Sequence, residues 1–209
     1  MNPSFGIEIV EQGWIAPDAG DGDLCSHGRI RLLIGGTTIL DGGPDDEVGI
    51  SESALALLRT LNADHAPDAP IAEKLIFHGC GLMLMMGCYI GVDWEVRHDG
   101  DRVRLSNVSV DEGPSRDIAA TLGRDEYERV VLAFAQEATH PFLGLTKRIT
   151  DDFDRERYEA FWDEYNEILG SHGAEPFPAS AAYPRRSKRL FGRGRTLETV
   201  WVWHGPDVK

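Results

Sequence analysis

The sequence predicts an α+β protein: an antiparallel sheet with hairpins at 29–40 and 92–108, two long helices at about 124–139 and 151–169 packed on one face, and a C-terminal strand. Three observations lead there. Period-two alternation broken by glycine turns dominates the first half of the 209 residues, and apolar residues at helical spacing dominate the second. Strands and helices are also segregated along the chain, unlike the regular βαβ alternation of a parallel sheet.

The first strand is expected at 5–10, where apolar and polar residues alternate, followed by a Gly/Asp-rich loop at 17–23. Segments 29–34 and 37–40 flank Gly35-Gly36, a two-residue glycine turn suited to strand twist, in a register that sets Leu32 against Ile39. Ser51 is placed as the N-cap of a helix over 51–61, with Ala54, Leu55, Leu58 and Leu61 on one face. Between Lys74 and Asp93 no formal charge occurs, but Gly79, Gly81, Gly87 and Gly91 cut the stretch into strand-sized pieces. Buried strands, and no membrane span, are therefore expected.

The second hairpin places Asp99-Gly100 in its turn. That register sets Trp94 against Leu105 and Val96 against Val103 on the buried face, with Glu95 against Arg104 outside. A polar link at 111–123 leads to the first long helix, defined by Tyr127, Val130, Val131, Phe134 and Ala138 and ending before Pro141. The next carries Tyr158, Phe161, Trp162, Tyr165, Ile168 and Leu169 in one stripe, with Asp151 or Asp152 to cap it. Residues 1–170 read as one domain, and 171–209 as a basic arm plus terminal strand lying on that domain or on a second subunit.

Three cysteines, Cys25, Cys80 and Cys88, are too few for a disulfide framework and suit a reducing compartment. Residues 1–11 lack the cationic flank and apolar stretch of a secretory signal, so a cytoplasmic location is expected. Glycine clusters lack phosphate-loop spacing, and neither a GxSxG elbow nor an HExxH pair occurs.

Two short echoes carry the candidate chemistry: Cys25-Ser26-His27-Gly28 and His78-Gly79-Cys80-Gly81. Residues two apart on a strand share a side, so each echo can present a thiol and an imidazole together. If the echoes converge, Cys25, His27, His78 and Cys80 make a Cys₂His₂ set suited to zinc; otherwise no cofactor is expected. A Cys/His nucleophilic pair is the other chemical reading. The plainer account, which we prefer, makes the cysteines small core residues and has the histidines bond to backbone.

Charge is unevenly distributed. Residues 1–170 carry 14 basic and 32 acidic side chains, and 171–209 carry seven and three. Over 151–170 eight acidic residues face two arginines, and Glu156, Glu159, Asp163 and Glu167 fall on the side opposite the aromatic stripe. A solvated face is the simple reading; the functional one is a docking surface for a basic protein. Six basic residues between Arg185 and Arg195 could meet nucleic-acid phosphates, but the acidic body opposes that, so contact with the body or a partner is preferred. In the last strand Trp201 and Trp203 share a side and are candidates for a homodimer interface. The expectation is thus a non-enzymatic acidic binding protein for a basic partner, in the manner of an inhibitor or immunity protein. The alternative is a small metal-binding protein or Cys/His-dependent enzyme using Cys25, His27, His78 and Cys80.

Overall fold

A computed structural model describes residues 3–16, 18, 20–67, 74–78 and 90–179, together with the backbone of 181–188 and 199–204. Strands β1 (Phe5–Gly13), β2 (His27–Ile34), β3 (Thr37–Asp41) and β4 (Glu47–Gly49) form one antiparallel sheet. Its centre is β2, which pairs with β1 along one edge and with β3 and then β4 along the other. Helix α1 (Ile50–Arg59) follows β4 directly. Strands β5 (Ile76–Phe77), β6 (Gly91–Asp99), β7 (Arg102–Val110) and β8 (Ala120–Gly123) form a second antiparallel sheet, and α2 (Arg124–Ala138) leaves its last strand. A short strand β9 (Lys147–Arg148) precedes α3 (Asp152–Ser171). Beyond α3, the backbone of β10 (Ala181–Lys188) pairs through Ala181 and Ala182 with β9, and that of β11 (Thr199–His204) lies antiparallel to it.

The α+β character is as expected, with two four-stranded sheets and a three-stranded one of β9, β10 and β11 where a single sheet was anticipated. The expected polar link contains β8, because Ala120 and Leu122 are buried beside Leu105 and Val103. Phe5 of β1, Trp94 of β6 and Tyr127 of α2 stack with centroids 5.4 and 6.3 Å apart around Phe5, which joins both sheets to α2. Buried faces of α1 complete this core.

Helix α3 packs chiefly on the other helices. Tyr165 donates its hydroxyl to the Ala135 carbonyl at 2.7 Å, and Arg59 forks onto Glu164 at 2.6 and 2.7 Å. Its start is capped as expected: the Asp151 carboxylate accepts the Asp154 amide at 2.9 Å. The aromatic stripe closes on Trp162, whose ring lies 4.7–5.1 Å from those of Phe142, Phe161, Tyr165 and Phe177. Asn166 holds Phe177 in place by bonding both its amide and its carbonyl. Packing on the body therefore continues to Phe177.

Three local expectations are corrected. The 92–108 hairpin turns at Gly100-Asp101, so that Val96 faces Leu105, Arg97 faces Arg104 and His98 faces Val103. Only Gly100 has positive φ there, at 59°, as a turn with glycine in its first central position requires. A shift of two residues keeps both faces, so Trp94, Val96, Val103 and Leu105 remain buried. Glu95 consequently bonds Ser106, Asn107 and Arg97 in place of Arg104. In the first hairpin an irregularity next to Leu32 places it opposite Leu40 in place of Ile39. Finally, α1 begins at Ile50 with Gly49 as N-cap, and the Ser51 hydroxyl accepts the distant Ser26 amide at 3.0 Å.

Among the described residues no helix is long and apolar enough to cross a membrane. The expected strands at 79–89 lie outside the described residues.

Because Trp162 joins five other rings, Trp162→Ala is expected to lower unfolding stability by about 3–5 kcal/mol, read from urea denaturation of the two chains.

Candidate functional site

The loop between β1 and β2 is shaped by one carboxylate. Asp23 Oδ1 accepts the Cys25 amide at 3.2 Å, and Oδ2 accepts the Ile15 amide at 2.9 Å, which curls 23–25 back onto the end of β1. The loop is then stapled to α1: the Ser26 amide donates to Ser51 Oγ, and its carbonyl accepts the Ile50 amide at 2.8 Å. Gln12 adds a third tie by donating to Ser26 Oγ at 2.8 Å and to the Ala138 carbonyl at 2.9 Å. β1 passes so closely that a Cβ on Gly28 would sit 1.9 Å from the Glu11 carbonyl oxygen. Only glycine fits beside His27.

These ties aim three side chains at one point. Asp23 Oδ1 lies 3.6 Å from Cys25 Sγ, Cys25 Sγ lies 3.6 Å from His27 Nε2, and His27 Nε2 lies 3.4 Å from Asp23 Oδ2. Asp23 and Cys25 are fully enclosed and His27 is 3% exposed. Glu52, in the first turn of α1 and also enclosed, hydrogen-bonds the Cys25 thiol. Asp23, Cys25 and His27 could together hold a metal ion.

Lys147 closes the cluster from β9. Its ammonium donates to the Gly20 carbonyl at 2.7 Å and to the Asp23 carbonyl, and sits 3.3 Å above the Trp14 ring centre. Burial lowers its pKa from the ordinary 10.5 to about 8, against the pull of Asp23.

The electrostatics of the cluster follow from burial among carboxylates. Burial first, then the charges of Glu52 and Asp23, push the Cys25 thiol far up, so without a bound cation it stays protonated. For His27 burial acts downward, but the Asp23 hydrogen bond and the charges of Asp23, Glu52 and Glu47 prevail and raise it. For Asp23 burial acts upward, but His27 and the amides of Ile15 and Cys25 prevail and hold the carboxyl low. A thiol held this way is no nucleophile. A divalent cation reverses the situation, because coordination deprotonates a thiol outright.

Within the first echo the thiol and the imidazole are presented together, 3.6 Å apart. Cys25 and His27 do share a side. His78 Nδ1 instead meets the Glu47 carbonyl at 2.9 Å, the backbone bond of the plainer account, and Cys80 lies outside the described residues. The residue that joins the first echo is Asp23. Its signal was the alternation Asp23-x-Cys25-x-His27, which puts three donors at spacing two.

Glu156, Glu159, Asp163 and Glu167 are all exposed on α3, and among the described residues no ion pair involves them. Side chains of the basic arm and of Trp201 and Trp203 lie outside the described residues. A further pair escaped sequence reading: Asp93, fully enclosed, meets the half-buried His65 at Nε2, 2.7 Å away, and His65 lines a cleft of about 390 Å³ with Thr60, Asp64 and the Arg59–Glu164 pair. Compared with known proteins, the chain matches no family model, no curated protein and no solved structure.

The lowered Lys147 pKa predicts a specific pH response. Between about pH 8 and 10.5 the unfolded chain keeps a proton that the folded chain has released, so this lysine makes stability rise with pH across that window. Lys147→Met should remove on the order of 2–3 kcal/mol of that rise, measured by urea unfolding at a series of pH values.

Proposed function

We propose that the chain is a non-enzymatic binding protein whose acidic α3 face engages a basic protein partner, an inhibitor or immunity-type role being its concrete form. The supporting observation is the row Glu156, Glu159, Asp163 and Glu167, spaced by one turn or two, exposed, and without a salt bridge among the described residues. Such a row is costly to the helix, since like charges three and four apart each oppose it by tenths of a kcal/mol. The opposite face compensates: Tyr158, Phe161, Trp162, Tyr165 and Leu169 are buried and hold the helix down. The carboxylates are thereby presented on a fixed scaffold. Their field speeds encounter with a cationic surface and disfavours acidic ones.

The alternative of a Cys/His-dependent enzyme has no geometric support at Cys25 and His27. The thiol is enclosed and protonated, and His78 is engaged by the Glu47 carbonyl.

Replacing the row with Glu156→Gln, Glu159→Gln, Asp163→Asn and Glu167→Gln tests the reading. The unaltered chain, immobilised in native lysate at low salt, is expected to retain basic proteins that high salt releases. The fourfold variant should bind the same proteins about tenfold more weakly or worse. An identical set on both chains, or no protein on either, sinks the reading.

A further inference from the structure

We propose that Asp23, Cys25 and His27, with Glu52 as fourth ligand, form a structural site for one zinc-class dication. This goes beyond the binding role of α3 and stands independently of it.

The first argument is metric. Zinc binds thiolate sulfur at about 2.3 Å, imidazole nitrogen at about 2.0–2.1 Å and carboxylate oxygen at about 2.0–2.2 Å, in a tetrahedron. The edges of that tetrahedron are then roughly 3.4 Å between nitrogen and oxygen and roughly 3.6 Å between sulfur and either. Here the sulfur–nitrogen edge is 3.6 Å, while the two carboxylate edges fall on different oxygens, 3.6 Å from sulfur to Oδ1 and 3.4 Å from nitrogen to Oδ2; with one atom from each residue the three ligands lie within 4.8 Å of one another, close enough for a small turn of the carboxylate to bring one oxygen to the ion. The Asp23 carboxylate spans the two edges it shares, Oδ1 toward sulfur and Oδ2 toward nitrogen.

The second argument is chemical. A thiolate, an imidazole and carboxylates suit zinc and exclude magnesium and calcium, which take oxygen alone. A site closed to water needs its fourth ligand from the protein, as structural zinc sites do. Glu52 fits that position: it is fully enclosed, bonds the Cys25 thiol, and is carried by the turn of α1 that Ser26 and Ser51 staple to the ligand loop.

The third argument concerns construction and entry. Asp23 Oδ1 and Oδ2 are oriented by the Cys25 and Ile15 amides, and the Ser26 backbone is bonded on both sides, so the ligands are set before any ion arrives. His27 also lines a surface cleft with Trp14, Gly28 and Glu47. One imidazole separates the cluster from solvent.

Bound there, the ion would clip β2 to the start of α1, and its binding energy would add to folding. The competing state is the same cluster held by hydrogen bonds alone.

The full chain, without a histidine tag, is unfolded with a chelator, freed of both reagents, and refolded alone, with zinc, or with cobalt(II). Support requires one zinc per chain surviving dialysis, a melting temperature raised by zinc, and a thiolate-to-cobalt charge-transfer band. Cys80→Ser and Cys88→Ser should leave the band unchanged, and Cys25→Ser should abolish it. Asp23→Asn and His27→Gln should weaken zinc at least about tenfold, and Glu52→Gln should weaken it while keeping the band. A folded chain that takes up no zinc overturns the proposal. So does a cobalt spectrum without thiolate character, or one lost in Cys80→Ser or Cys88→Ser. If Cys25→Ser does not fold, the cobalt band of the unaltered chain and of the other two cysteine variants decides.

Discussion

Where β2, α1 and β9 meet, the protein encloses Asp23, Glu52, His27 and Lys147 around one thiol, and the surrounding architecture can be understood as the arrangement that makes this tolerable. Isolated ionised groups taken out of water cost several kcal/mol each, so each must find a counter-charge or a hydrogen-bond partner. Asp23 finds His27 and two amides; Lys147 finds two carbonyls and the face of Trp14. Those partners join the loop between β1 and β2 to β2 and β9, and Ser26 of the same loop is bonded to Ile50 and Ser51 of α1, so the contacts that satisfy the charges also fix how the elements lie. A strand end, a helix start and a distant loop are held in one register by polar bonds that an apolar core cannot specify.

Helix α3 solves a different problem with the same logic. Its outer row of carboxylates disfavours the helix, and its inner row of rings restores it. Trp162 links that inner row to Phe142, which in turn contacts Trp14, the ring beneath Lys147. The exposed acidic face and the enclosed cluster therefore stand at the two ends of one aromatic chain of contacts. Function proposed for either depends on the packing between them.

Features carried by local periodicity were legible in the residues. The stripe Tyr158 to Leu169 defined α3, Asp151 defined its cap, and Gly35-Gly36 defined the first turn. The second turn was not, because Asp99-Gly100 and Gly100-Asp101 both give glycine a positive φ, and only the packing of Leu105 against Val96 distinguishes them. Cys25 and His27 were legible as a pair from their spacing. Asp23 was hidden in a Gly/Asp-rich segment that reads as an ordinary turn, and Lys147 was hidden because a lysine becomes a core residue only through partners far away in sequence. Ser51 shows the same limit: its hydroxyl serves Ser26 across the fold, where local rules assigned it to its own helix.

That remoteness has a consequence in time. The ammonium that closes the cluster is 124 residues downstream of Asp23, and the carbonyl of Ala138 that anchors Gln12 is 126 residues downstream of it. At the ~5–20 residues per second of synthesis, the interval between the emergence of Asp23 and that of Lys147 is roughly 6–25 s. For that interval Cys25, His27 and their carboxylates have no roof. Whatever is to reach the thiol, whether an ion or an oxidant, meets it most freely on the nascent chain, before β9 arrives to shut it in.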